Sequence, residues 1–231
     1  MNCKYIKYLR GKFIFRTVIF LVTFGLAVYD LEALKGILYY DIFYFKTFHL
    51  IWIFLMVEML QVFIPVLNKR VSCGKGFARH YRETSRDYDK KALQNHTRKY
   101  NRRAGWAGLL WLMLLLVTGI LYRTGVINVT GIHLIVVFLY FSDEFCINIW
   151  CPFRAWIVRS KCCNACRIYN WGHMMIFSPY IYVFSFWTYS LLILALLIFL
   201  QWEFLHFKYP QRFWEVSNVN LQCSSCRTAG M

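Results

Sequence analysis

Nine cysteines in 231 residues, most of them in the second half, are the groups of this chain best suited to chemistry. Cys162-Cys163-Asn164-Ala165-Cys166 contains a C-x-x-C pair, Cys163/Cys166, whose spacing lets two thiolates converge on one metal or cluster and equally suits a reversible disulfide. Cys151 and Cys162 lie close enough in sequence to complete a four-thiolate site, so the expected ligand set is Cys151, Cys162, Cys163 and Cys166. A second C-x-x-C pair, Cys223/Cys226, stands near the C-terminus as a further metal or redox candidate. Thiols facing a reducing compartment favour metal or redox use over structural disulfides. Four thiolates select zinc, which would fold the loop around a closed tetrahedral ion, or an iron–sulfur cluster, which adds electron transfer. Cys3, Cys73 and Cys146 read as small apolar packing residues, Cys146 beside the site rather than in it. No C-x-x-C-H occurs, which excludes covalent c-type haem.

Ionisable residues inside apolar stretches form a second set. Glu58, Asp143 and Glu144 fall where charge is costly, and such residues default to a functional hypothesis with a partner to be named. On a helix Asp143 and Cys146 share a face, which makes Asp143 a neighbour of the cysteine site or a proton acceptor beside it. The plainer alternative pairs Asp143 and Glu144 with Arg154 or other loop arginines. His173 is a potential ligand at the start of the last apolar stretch, whereas His49, His133 and His206 fall toward the outer side, with no spacing that argues for haem.

The segment Phe145-Cys146 to Cys151-Pro152-Phe153 resembles the Cys-x-x-x-Cys-Pro-Phe loop of polytopic membrane iron–sulfur proteins that accompany nitrate and nitrous-oxide respiration. The spacing here is one residue longer, Ile147 stands where a glycine usually follows the first cysteine, and the ferredoxin-type run of cysteines is missing. The likeness covers fewer than ten residues and implies a redox membrane protein, without fixing a number of clusters.

The elements that must position these residues follow from composition. With 59% hydrophobic and 16% charged residues, the chain is far more apolar than an average soluble domain, and an integral membrane protein is expected. Runs long enough to cross ~30 Å of hydrocarbon lie at about 13–29, 47–67, 105–122, 129–150 and 174–204. The predicted fold is therefore an all-α bundle of five or six spans. The last run has 31 residues, long for one crossing and short for two, so the side of the tail 205–231 stays open. The run 31–45 is short and interrupted by charge, which suits an interfacial or re-entrant helix. Between 68 and 105 twelve basic residues, Lys75 among them, face Glu83, Asp87 and Asp89, a net +9 that places this loop, the N-terminus and the cysteine-rich loop 151–173 in the cytoplasm. The expected location is the plasma membrane, specifically a bacterial inner membrane.

The basic loop, within a chain of net charge +16, reads as a topology signal against anionic inner-leaflet lipid or as a docking surface for an acidic soluble electron carrier. No nucleic-acid motif accompanies it. Four functions follow: a redox protein or oxidoreductase subunit passing electrons through a cytoplasmic iron–sulfur centre to a quinone or partner subunit; a zinc-stabilised interaction or channel-like subunit; a cation transporter using Glu58, Asp143 and Glu144; and thiol–disulfide exchange by Cys223/Cys226. No phosphate loop, nucleophile elbow or His-Glu-x-x-His motif supports nucleotide or hydrolase chemistry.

Overall fold

A computed structural model describes residues 3–38, 40–42, 44–68, 74–84 and 88–222. The architecture is helical: α1 (Cys3–Tyr29), α2 (Leu31–Leu38), α3 (Thr47–Phe63), α4 (Lys90–Arg123), α5 (Val129–Asn148), α6 (Gly172–Phe177) and α7 (Phe186–Lys208). A two-residue antiparallel ladder, Asp41–Ile42 against Phe45–Lys46, turns the chain between α2 and α3. Four helices, α1 from Arg10 onward, α4, α5 and α7, are long and apolar enough to cross a membrane, and α3 is a shorter apolar helix.

Capping fixes where the long helices begin. The Asp89 carboxylate accepts from the Lys91 amide at 2.9 Å and opens α4, the Asn128 side chain accepts from the Gly131 amide and opens α5, and the Ser185 hydroxyl does the same for α7 through Thr188. At 1.5 Å per residue α4 extends about 51 Å, well beyond the ~30 Å hydrocarbon layer. The helix is thus longer than one crossing needs, and Tyr100, Arg103 and Ala104 pack against the cysteine-rich loop.

The central core joins α3, α5, α6 and α7 through Met59, Ile132, Val136, Ile176, Phe177, Ala195 and Ile198. Lipid-facing apolar side chains stay exposed along α1 and α4, as expected where hydrocarbon rather than water is the neighbour. The ambiguous run at 174–204 resolves into three pieces: α6, a tight turn of 3₁₀ helix Ser178–Tyr182, and α7. Pro179 has no amide to continue an α-helix, and the tighter winding absorbs the break. The Thr188 hydroxyl donates to the Val183 carbonyl at the end of this turn, and side chains tie the turn to α4: the Tyr182 hydroxyl donates to the Leu115 carbonyl at 2.9 Å and the Trp111 indole to the Ser178 hydroxyl at 3.1 Å. Gly119 makes room for the Tyr182 ring, since a Cβ there would lie 2.5 Å from the phenol.

The described part of the tail returns to the end of the bundle that carries the basic loop. Glu83 pairs with Asn218 as a β-bridge, Val219 donates to the Arg82 carbonyl, Arg212 to the Gly76 carbonyl at 2.8 Å, and Lys161 forms an ion pair with Glu215 at 2.6 Å. His206, expected toward the outer side, lies instead at this basic end against Phe213, because α7 runs back toward it. Cys223 and Cys226 lie outside the described residues.

Candidate functional site

The basic end holds two adjoining polar features. The first is a buried cluster of charge. Arg16, 1% exposed on α1, donates to Glu58 at 2.9 Å, to Asp143 at 2.9 Å and to the Tyr140 carbonyl at 2.8 Å, with its guanidinium 3.8 Å from the centre of the Tyr140 ring. Lys12, one turn earlier, pairs with Glu58 and approaches Glu144 at 3.5 Å; Glu144 is fully buried and also receives Asn148. The Tyr140 hydroxyl closes the network on Glu58 at 2.8 Å. Glu58, Asp143 and Glu144 are thus partnered by Lys12 and Arg16 of the first helix, and among the described residues no ion pair joins them to Arg154 or another loop arginine. The reason is geometric: Lys12 and Arg16 at i and i+4 share the face of α1 that packs on α5. His173 bears electrostatically on Asp143 and does not line the cavity described next.

The second feature is a cavity of about 120 Å³ lined by Cys146, Cys151, Cys163 and Cys166, with Asp143 and Arg154 beside them and Trp111, Ile168 and Ile176 supplying apolar walls. Three segments build it. Cys146 comes from the last turn of α5, Cys151 from the exit of that helix, and Cys163 and Cys166 bracket a 3₁₀ turn, Cys163–Ala165. After Cys151, Pro152 at φ −63° starts a six-residue π-turn, Phe153–Val158, and the Arg154 amide points back at the Cys151 sulfur, 3.4 Å away. Arg159 ends that turn in the left-handed region at φ 53°, unusual for a residue with a Cβ, and redirects the chain toward the second pair of cysteines. Val158 is fully buried, and its carbonyl accepts from Arg103 of α4 at 3.1 Å, which anchors the loop on the long helix.

Two further contacts hold the cysteine loop in place. Arg167 grips Glu203 of α7 through both guanidinium nitrogens at 2.8 and 2.5 Å, and the Trp171 indole donates to the same carboxylate at 2.7 Å. Lys75 is fully buried and donates to the carbonyls of Asn164 at 2.8 Å and Cys166 at 3.0 Å. Counted by sequence as one charge of a solvated loop, Lys75 is a core residue. The signal was the Gly74-Lys75-Gly76 triplet: a Cβ at Gly74 would collide with His80, and one at Gly76 would press on Leu205 at 3.0 Å, so both glycines permit close backbone approach.

Of the cysteines expected as ligands, Cys151, Cys163 and Cys166 line this cavity. Cys162 does not line the cavity and Cys146 does. Cys162 is extended, φ −150° and ψ 169°, and the chain tightens into the 3₁₀ turn at Cys163, so the two neighbours differ in backbone conformation. The helical face joining Asp143 to Cys146 was the available sign that Cys146 belonged inside.

The thiols differ in electrostatic setting. Cys151 is lowered to about 7, chiefly by a hydrogen bond from the Cys146 thiol and further by the Arg154 and Phe153 amides and the Arg154 charge, against the opposing effect of burial. Burial pushes Cys163 up to about 12 and raises Cys166 as well. Among the described residues, no group of three or more His, Cys, Asp and Glu side chains is placed to hold a metal ion. No family model, curated protein or solved structure matches the chain.

Proposed function

We propose that this chain is an integral membrane redox protein whose Cys146, Cys151, Cys163 and Cys166 hold an iron–sulfur cluster at the basic end of the bundle. The observation that carries this reading is that four cysteines, two near the end of α5 and two from the 151–173 loop, line one cavity with largely apolar walls. A zinc ion needs ligands converging at about 2.3 Å on one point, and no such group stands among the described residues. A cluster presents several irons, so its thiolates need not converge on one point. The Cys-Pro-Phe likeness to membrane iron–sulfur proteins points the same way. When bound, the cluster supplies one-electron transfer.

The chain's own residues supply the rest. The Arg154 amide and guanidinium offset thiolate charge at Cys151, Trp111 and Ile176 supply apolar wall, and Arg167 with Glu203 fixes the loop to α7. In this reading the chain crosses six times, with α6 and the 3₁₀ turn as a short broken fifth passage. The basic end faces the cytoplasm of a bacterial inner membrane, lies against anionic lipid and receives an acidic soluble carrier or a partner subunit. The transporter reading gains less support, since Glu58, Asp143 and Glu144 are engaged by Lys12 and Arg16.

Anaerobically purified protein should contain iron and acid-labile sulfide and absorb in the visible. Cys146→Ser and Cys163→Ser should lose both, while Cys162→Ser should keep them. About one zinc per chain without iron selects the zinc-stabilised reading instead, and colourless, metal-free protein overturns both.

A further inference from the structure

The four cysteines of the cavity differ in what their sulfurs touch. The Cys163 thiol donates to the Cys146 carbonyl at 3.5 Å, and the buried Cys166 sulfur is met by the Ile168 amide and the Ser160 hydroxyl. Cys146 and Cys151 are instead directed at one another, the Cys146 thiol donating to the Cys151 sulfur. The end of α5 explains the pairing: the Trp150 amide reaches the Phe145 carbonyl at 3.3 Å, five residues back, and this wide last turn brings position 151 beside position 146. The amides of Phe153 and Arg154 also bond to the Cys151 sulfur, the latter at 3.4 Å.

Two sulfurs in hydrogen-bond contact, one of them held by backbone donors, are placed for thiol–disulfide exchange, and disulfides in reducing compartments are chiefly transient or redox-sensing. Arg154 offers the oxidant a foothold. It lines the cavity, its charge acts on Cys151, and its Nε is buried without a hydrogen bond, a donor that a carboxylate would satisfy.

We propose that Cys146 and Cys151 form a reversible disulfide, with Cys151 attacking and Cys146 resolving, and that Arg154 recruits a small carboxylate-bearing disulfide as the oxidant. The Cys151 thiolate attacks one sulfur of that molecule and expels the other as a thiolate, which takes up a proton. Cys146 then gives up its proton and attacks the Cys151 sulfur, releasing the second small thiol. Two electrons pass from the protein pair to the small disulfide, one S–S bond breaks and one forms. This chemistry belongs to the metal-free chain. Only its consequence, that the oxidised pair withholds two thiolates from iron and so gates loading of the centre, rests on the redox reading above.

The test incubates the metal-free full-length chain anaerobically with glutathione disulfide, alkylates it, and maps the cysteines by mass spectrometry after digestion. The peptide carrying Cys146 and Cys151 should be unalkylated, lighter by two hydrogens and restored by dithiothreitol. Cys146→Ser should keep glutathione on Cys151, because no resolving thiol remains. Arg154→Gln should slow bridging by glutathione disulfide about tenfold and leave bridging by the neutral hydroxyethyl disulfide unchanged; equal rates with glutathione disulfide for wild type and variant overturn the role of Arg154. Free, alkylated Cys146 and Cys151 in the oxidised wild type, or a bridge between Cys163 and Cys166 in their place, overturns the pairing. If that same protein takes up iron, the redox reading still stands; a bridge that forms in a chain that never holds iron leaves the pairing and removes the redox reading.

Discussion

The charge cluster and the cysteine cavity are neighbours that share Asp143, yet they are built on opposite principles. In the cluster, cations and carboxylates face one another: Arg16 reaches Glu58, Asp143 and a carbonyl, Lys12 reaches Glu58 and Glu144, and Tyr140 closes the ring. In the cavity, four thiols face a common space. A set of charges that closes on itself in a low-dielectric interior fixes helix register, whereas groups aimed at a shared space are free to bind. The notion that intramembrane ionisable residues mark function therefore applies indirectly here. The carboxylates dock α1 and α3 onto α5, and that docking sets the depth of Cys146.

The largest expected effect breaks the closed side. Arg16→Met removes a fully buried guanidinium from Asp143 and leaves Glu58 to Lys12 and the Tyr140 hydroxyl, and removing one member of a buried ion pair costs about 3–5 kcal/mol. Thermal unfolding in detergent should show little folded protein, while Arg16→Lys, which keeps the charge but not the two-ended reach, should fall between. Survival of Arg16→Met at wild-type stability would erase the distinction between the two regions.

Next comes the cavity side, where Cys146→Ala should abolish bound iron with a stability change below about 1.5 kcal/mol, since the volumes are close. Iron content alongside a melting curve separates the two effects. A smaller change tests the seam. A Cβ on Gly172 would collide with the Asp143 carboxylate that also lines the cavity. Gly172→Ala should cost about 1–3 kcal/mol of overpacking and perturb both the melting curve and the visible spectrum, whereas a defect confined to one of them would show that the regions are uncoupled. The smallest effect lies far from both: the Glu32–Lys35 pair on α2 is exposed, with side chains 81% and 43% accessible, and Lys35→Ala should change stability by about 0.2–0.5 kcal/mol.

Local patterns made much of this legible. Runs of apolar residues about as long as a membrane is thick located the long helices, and the three carboxylates stood out because their neighbours are apolar. Residues separated by one or two turns could be assigned to a face, which linked Asp143 to Cys146. The same local view grouped Cys162 with Cys163 from closeness in sequence alone, whereas only Cys163 lines the cavity and the backbone passes from extended to a 3₁₀ turn between them. The broken passage after Gly172 read as one over-long apolar run, since hydropathy carries no record of which neighbours, Leu115 and Trp111 of α4 among them, hold its side chains in place.

By itself the sequence determined a bundle of apolar helices, a basic end, and thiols and carboxylates gathered near that end. Those properties depend on composition and on spacings within a few turns. Only the tertiary structure decided which thiols share a cavity, that Lys12 and Arg16 answer the carboxylates, and that Lys75 leaves its charged loop for the core. Arg16 meets Asp143 across 127 residues and Lys75 meets Cys166 across 91. Contacts at such separations are set by how helices pack against one another, and no periodicity along the chain encodes them.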